Sequence, residues 1–133
     1  MIRIEHIGIA VENMNESIEL YEQLLNTPCY KRESVASESV ETAFFKVGES
    51  KIELLEASDP NSAIAKFIAK KGQGIHHIAY EVENIQAEMK RLEALGFELL
   101  NKEPKRGADN KLVCFLHPKT SGGVLVELCQ EMV

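Results

Sequence analysis

One segment of this chain occurs twice, and the duplication constrains the fold more than any other feature. The run IEHIGIAVENMNESIELYEQLL, which starts at Ile4, aligns with IHHIAYEVENIQAEMKRLEALG, which starts at Ile75. Identical residues are spread along both copies, so the similarity does not come from a low-complexity run. A segment repeated in this way predicts two copies of one supersecondary unit.

Each copy begins with a strand pattern and continues with a helix pattern. The β-branched runs IGIAV and HIAYEV each end at Glu-Asn, where Asn13 and Asn84 are candidate helix N-caps. Strand-like pieces follow each helix: residues 30–37, VETAFFKV and SKIELLEA in the first copy, and FELL, KLVCFLH and GVLVELC in the second. Each half is therefore predicted to be a β-α-β-β-β module.

The predicted fold class is α+β, with two repeated βαβββ modules in a single domain over residues 1–133. The first repeat covers about residues 1–57 and the second about residues 74–130. Between them, residues 61–71 are predicted to form an inserted helix, which Ser62 can cap and Gly72 can end. The stretch NKEPKRGADN is predicted to be a mobile loop and a candidate for substrate contact.

Charge and composition exclude several classes of partner. The net charge of −6 disfavours nucleic acid, and no apolar run is long enough to span a membrane. Three cysteines without CxxC spacing indicate free thiols and a cytoplasmic protein: Cys29, Cys114 and Cys129. Basic residues do concentrate in one stretch, which either is a solvated loop or contacts a small polyanion: Lys102, Lys105, Arg106, Lys111 and Lys119.

Two histidines occupy equivalent positions in the two repeats. Strand alternation places His6 and Gly8 on one face of the first strand, and His77 and Ala79 on one face of its counterpart. Each histidine is thus followed, on its own face, by a residue small enough to leave space beside the imidazole. By the same alternation His76 points to the other face.

The last strand of each half also carries a carboxylate between apolar neighbours, Glu53 in KIELLE and Glu127 in VLVELC. A buried carboxylate requires a proton, a cation or a metal. One divalent ion would satisfy His6, Glu53, His77 and Glu127 together. Taken singly, such a histidine is more often an ordinary core residue and such a glutamate a solvent-exposed one, so both interpretations stay open at this point. His117 is interpreted as a loop or surface histidine.

The ordered motifs HIGIAVEN, VETAFF, KIELLEA, SAIAKFIAKKGQGIHHIAYEV and EPKRGADNKLVCFLHPKTSGGVLVEL resemble the vicinal-oxygen-chelate superfamily. Within it, they are most similar to the methylmalonyl-CoA epimerase family. The resemblance covers the whole chain and implies a glyoxalase-like curved sheet around a metal site. It also implies a small-molecule acyl-CoA substrate, no nucleic acid or membrane partner, and a homodimer.

The resemblance implies metal ligation by His6, Glu53, His77 and Glu127, the residues that the repeat also selects. Some relatives have Gln where this chain has Glu53. One divalent ion (Co, Mn, Zn or Ni) is expected. The family's catalytic carboxylate outside the ligand set would fall on Glu41 of VETAFF. Epimerisation at C2 then needs two acid/base groups, Glu41 on one side of the carbon and Glu127 on the other.

Three alternative functions remain at this stage. The first is a glyoxalase I-type isomerase. The second is an extradiol-type iron oxygenase, in which His6, His77 and Glu127 would form a two-histidine, one-carboxylate site. Glu53 argues against it, because a fourth protein ligand fills space that oxygen and a catechol need. The third is a metal-free module that binds a small molecule without chemistry.

Overall fold

The computed structural model describes residues 1–133 and contains the elements that the duplication predicts. The first module consists of β1 (Arg3–Ala10), α1 (Met14–Leu25), β2 (Lys31–Val35), β3 (Val40–Val47) and β4 (Ser50–Ala57). The inserted helix α2 (Ala63–Lys71) follows. The second module consists of β5 (Gly74–Glu81), α3 (Ile85–Ala94), β6 (Lys105–Arg106), β7 (Lys111–Leu116) and β8 (Val126–Glu131). Two short 3₁₀ helices lie at Ala36–Glu38 and Pro118–Thr120.

The chain divides into two compact units, His6–His76 and a second unit of Met1–Glu5 with His77–Val133. In the first unit the strand order is β2-β3-β4-β1, and β1 and β4 run parallel while the other pairs are antiparallel. In the second unit the order is β5-β8-β7-β6, again with the first and last strands of the module parallel. Both units therefore have the β-α-β-β-β topology that the repeat predicts. The single-domain organisation stays a prediction.

Equivalent caps start the helices of the two modules. The side chain of Asn13 accepts a hydrogen bond from the backbone N–H of Glu16, and that of Asn84 accepts one from Ala87, both at 3.0 Å. Ser62 caps the inserted helix in the same way. These side chains satisfy N–H groups that have no partner inside the helix. None of the helices is both long and apolar enough to cross a membrane.

Each unit packs its long module helix on one face of its strands. In the first unit, Met14 of α1 packs with Ala43, Phe45 and Leu54 of β3 and β4. In the second unit, apolar residues of α3 pack against β7 and β8: Ile85, Met89 and Leu92 against Cys114, Leu116 and Leu128. The candidate metal ligands lie on the opposite face of each set of strands.

The predicted strand FELL is the main departure from the sequence analysis. Only Leu99 makes a bridge, to Leu116, while the third strand position of the second module is filled by the two residues of β6. β6 lies inside the stretch predicted to be an irregular loop and pairs with β7. The side chain of Asn101 supports this edge, because it donates a hydrogen bond to the carbonyl of Val113 and accepts one from the backbone N–H of Phe115.

Candidate metal centre

The first unit contains a buried histidine–glutamate pair. His6 on β1 is 5% exposed and Glu53 on β4 is 4% exposed. Nε2 of His6 lies 3.1 Å from Oε1 of Glu53. The register places Glu53 opposite Gly8, two residues after His6. Because Gly8 has no side chain, the imidazole and the carboxylate can meet beside it.

The second unit contains the equivalent pair. Nε2 of His77 on β5 lies 3.1 Å from Oε1 of Glu127 on β8, and both residues are buried. Here Glu127 lies opposite Ala79, again the small residue two positions after the histidine. The duplication thus reproduces the residue types, the atoms that approach each other and the distance between them.

The geometry of each pair fits two ligands of one metal ion. Ligand atoms about 2.1 Å from an ion, at the angles of octahedral or tetrahedral coordination, lie about 3.0–3.4 Å apart. The 3.1 Å separations of both pairs match that range, and the ligand atoms of His77 and Glu127 lie within 4.8 Å of each other as a metal site requires. Imidazole nitrogen and carboxylate oxygen are also the donors that Zn, Co, Mn and Ni accept. The residues present therefore fit a divalent ion.

The structure does not bring Glu41 to this group. In the register of β3 and β4, Phe44 lies opposite Glu53, so Glu41 belongs to the other face of the strands. That face carries Ala43 and Phe45, which pack against α1. The carboxylate of Glu41 instead accepts a short hydrogen bond from the hydroxyl of Ser34 on the neighbouring strand. The prediction that Glu41 acts as an acid/base beside the metal ligands is therefore wrong in its placement.

Thr42, like Phe44, lies on the face of β3 that is shared with Glu53. It is 1% exposed and lies opposite Leu55 of β4. Its hydroxyl donates to the backbone carbonyl of Glu33 at 2.8 Å. The hydroxyl is thus tied to the edge strand β2.

Phe115 is a site residue that the sequence analysis missed. It lies opposite Glu127 in the register of β7 and β8, and its ring meets the His77 imidazole edge-on at 5.7 Å between centroids and an angle of 84°. The Nζ atom of Lys105 lies 5.9 Å from the centroid of the same ring. A signal existed in the sequence: the alternation of KLVCFL places Phe115 and Lys111 on one face, but it does not say which face.

The two other histidines have structural roles. His76 lies edge-on against Phe67 of α2, with 4.9 Å between the ring centroids. Nδ1 of His117 accepts a hydrogen bond from the backbone N–H of Lys119 and so caps a 3₁₀ helix. Leaving both out of the metal site agrees with these contacts.

The three cysteines are free thiols, as their spacing predicts. Cys114 is fully buried, and burial raises the pKa of its thiol to about 11, with a smaller opposing effect of the positive charge of Lys105. Cys114 is therefore protonated at neutral pH and is not a nucleophile.

Comparison with known proteins agrees with the topology described above. A family model for the glyoxalase/bleomycin resistance protein/dioxygenase superfamily matches residues 5–115. The ethylmalonyl-CoA/methylmalonyl-CoA epimerase of Cereibacter sphaeroides is 40% identical over 130 residues, covering 96% of this chain and 97% of that protein. The mitochondrial methylmalonyl-CoA epimerase of Homo sapiens is 39% identical over 129 residues, covering 96% of this chain and 73% of the human protein.

Solved structures show the same similarity. A variant of Streptomyces coelicolor methylmalonyl-CoA epimerase, in complex with 2-nitronate-propionyl-CoA, aligns with a TM-score of 0.96 at 33% sequence identity. The alignment covers 100% of this chain and 99% of that chain. The βαβββ repeat is thus the fold of these enzymes.

Proposed function

Since the chain belongs to the glyoxalase/bleomycin resistance protein/dioxygenase superfamily, we propose that it is an isomerase that epimerises methylmalonyl-CoA at C2. The observation that carries the proposal is the pair of equivalent, buried histidine–glutamate contacts, each 3.1 Å long. Relatives that are methylmalonyl-CoA epimerases align over nearly the whole chain, which supports the choice of substrate.

The proposed ligands of one divalent ion are His6, Glu53, His77 and Glu127. Two neutral imidazoles supply donors, and two carboxylates balance the double charge of Co, Mn, Zn or Ni. When bound, such an ion supplies a Lewis acid that stabilises negative charge on the thioester oxygen. Burial of the four side chains keeps water away from that charge and strengthens its interaction with the site.

Glu127 is the proposed acid/base residue of this chain. It lies on the ligand-bearing face, where its carboxylate is buried beside His77. Its Oε1 is near the imidazole, which orients the carboxyl group, and the second oxygen can take the C2 proton from one face of the carbon. Inversion then requires a second acid that delivers a proton to the opposite face. Glu41, on the opposite face of its strands, is not part of the proposal.

The alternatives within the superfamily fit the site less well. An extradiol oxygenase needs open positions on an iron held by two histidines and one carboxylate. Glu53, at 3.1 Å from His6, adds a fourth donor where such an enzyme leaves space. A metal-free binding module would have no use for two buried carboxylates whose charge must be compensated.

The proposal also includes a homodimer in the cytoplasm. The free state of all three cysteines is consistent with a reducing compartment. Light scattering coupled to gel filtration measures the mass in solution, and a monomer at micromolar concentration would remove the dimer from the proposal.

Solvent exchange at C2 tests the proposed reaction directly. The protein is incubated with one enantiomer of methylmalonyl-CoA in deuterium oxide, with and without a chelator, and the C2 proton is followed by NMR. Deuterium incorporation with formation of the other enantiomer is expected only without chelator. Absence of exchange in metal-loaded protein would reject the epimerase function, and parallel assays with a methylglyoxal hemithioacetal and a catechol would identify the alternatives.

A further inference from the structure

The short strand β6 places a lysine on the ligand-bearing face of the second unit. Lys105 lies opposite Val113 of β7, and Val113 lies opposite Cys129 of β8. Because paired residues of neighbouring strands point to the same side, Lys105 shares the face of Phe115 and Glu127. Both residues of β6 are exposed, so the lysine lies at the accessible edge of that face.

The side chain of Lys105 reaches the aromatic ring that contacts one of the candidate metal ligands. Its Nζ atom lies 5.9 Å from the centroid of the Phe115 ring, and the edge-on contact of that ring with His77 spans 5.7 Å. A lysine at this distance over an aromatic face is attracted by the ring's quadrupole. The ammonium group of Lys105 and the imidazole of His77 thus both contact the Phe115 ring.

Two other lysines of the same basic stretch form ion pairs at other positions. Nζ of Lys111 is 3.7 Å from Glu131, and Nζ of Lys119 is 3.0 Å from Glu98. Glu127 places a carboxyl group on the face around His77. A cation at this face lowers the cost of bringing an anionic group of a ligand to it.

We propose that Lys105 binds an anionic oxygen of the acyl-CoA substrate, and that Phe115 holds the ammonium group in place beside the His77–Glu127 pair. This inference rests on the proposed function for the identity of the substrate. The anionic oxygen belongs either to the free carboxylate of the acyl group or to a phosphate of CoA. Lys105 is in both cases a substrate-positioning residue that fixes the acyl chain relative to the acid/base.

Binding, measured apart from turnover, tests the proposal. The variant Lys105→Met removes the charge and keeps the length of the chain, Lys105→Arg keeps the charge, and Lys102→Met is the matched control in the same exposed stretch. Calorimetry on metal-loaded protein uses three compounds that cannot be epimerised: malonyl-CoA, which has both anions, propionyl-CoA, which lacks the carboxylate, and malonyl-pantetheine, which lacks the CoA phosphates.

Loss of a charge-assisted hydrogen bond should weaken binding of malonyl-CoA to Lys105→Met by about tenfold or more. Lys105→Arg should restore most of the affinity, and Lys102→Met should bind as the unmodified protein does. A loss that persists with malonyl-pantetheine but not propionyl-CoA identifies the carboxylate, and the reverse identifies a CoA phosphate. Added salt should weaken the binding of the unmodified protein more than that of Lys105→Met.

Equal affinities of Lys105→Met and the unmodified protein for all three compounds would overturn the proposal. An equal loss in Lys102→Met would do the same, because it would show a general effect of charge. The outcome is separable from that of the proposed function. Protein that binds malonyl-CoA through Lys105 and fails to exchange the C2 proton of methylmalonyl-CoA refutes the epimerase alone.

Discussion

At the scale of single residues, the role of a glutamate in a strand depends on the face of the strand from which its side chain projects. Glu127 lies within 3.1 Å of His77 and is buried, whereas Glu41 faces the side of β3 that packs on α1 and bonds to Ser34. We therefore expect Glu41→Gln to keep kcat/KM within about twofold of the unmodified enzyme. Glu127→Gln should lose about a hundredfold to ten-thousandfold, the usual contribution of an acid/base group. Steady-state assays measure kcat/KM of the two variants. A decrease in Glu41→Gln as large as that in Glu127→Gln would show that Glu41 is a catalytic residue.

The two histidines should contribute equally to metal binding, because the duplication gives them the same atoms at the same distance from a glutamate. His6→Ala and His77→Ala should both release most of the ion, as measured by elemental analysis after dialysis. His117→Ala is the control, since His117 caps a 3₁₀ helix. Its metal content should remain at the level of the unmodified protein. Full retention of metal by either of the first two variants would remove that histidine from the ligand set.

At the scale of elements, sequence periodicity predicted most of the helices and strands. It could not predict which face of β3 points toward the candidate metal ligands. The bounds of VETAFFKV and SKIELLEA are those of β3 and β4. However, residues on both faces of β3 are buried, among them Thr42, Ala43, Phe44 and Phe45. With both faces buried, alternation cannot tell which parity points to the site, so it could not check the placement of Glu41, which the family resemblance implied. The four proposed ligands have additional support from the repeat, which supplies one histidine and one glutamate in each module.

The helix caps give a prediction at this scale. Asn13 and Asn84 make the same hydrogen bond, at the same length, in the two modules. Asn13→Ala and Asn84→Ala should each lower the free energy of unfolding by about 0.5–2 kcal/mol, the usual effect of losing an N-cap. Asn→Asp at the same positions should preserve the stability, because aspartate caps equally well. Urea unfolding followed by circular dichroism measures the difference, and alanine variants as stable as their aspartate counterparts would show that the caps contribute nothing.

At the scale of the whole molecule, the buried thiol of Cys114 makes stability fall at alkaline pH. The pKa of this thiol rises from an ordinary 9.0 to about 11 in the folded protein. Below about pH 9 the thiol is protonated in both states, but above it only the unfolded chain ionises, so unfolding is favoured increasingly until the folded thiol also ionises near 11. Unfolding free energies of Cys114→Ala and the unmodified protein, measured from pH 8 to 11, should converge as the pH rises. A constant difference across that range would contradict the raised pKa.

Metal removal tests the whole molecule, because the proposed ligands come from both modules of the duplication. An ion that binds the folded chain and not the unfolded one stabilises it by RT ln(1 + [L]/Kd), about 2.7 kcal/mol at a free concentration one hundred times Kd. We expect chelation to abolish epimerisation and to lower the melting temperature, and re-addition of the ion to restore both. In His77→Ala the melting temperature should no longer respond to the ion. Calorimetric scans at several ion concentrations measure this response, with turnover followed on the same samples. If metal-free protein retained full turnover, the divalent ion would have no part in the reaction. If the melting temperature of His77→Ala still rose with added metal as it does for the unmodified protein, the ion would bind at a different site.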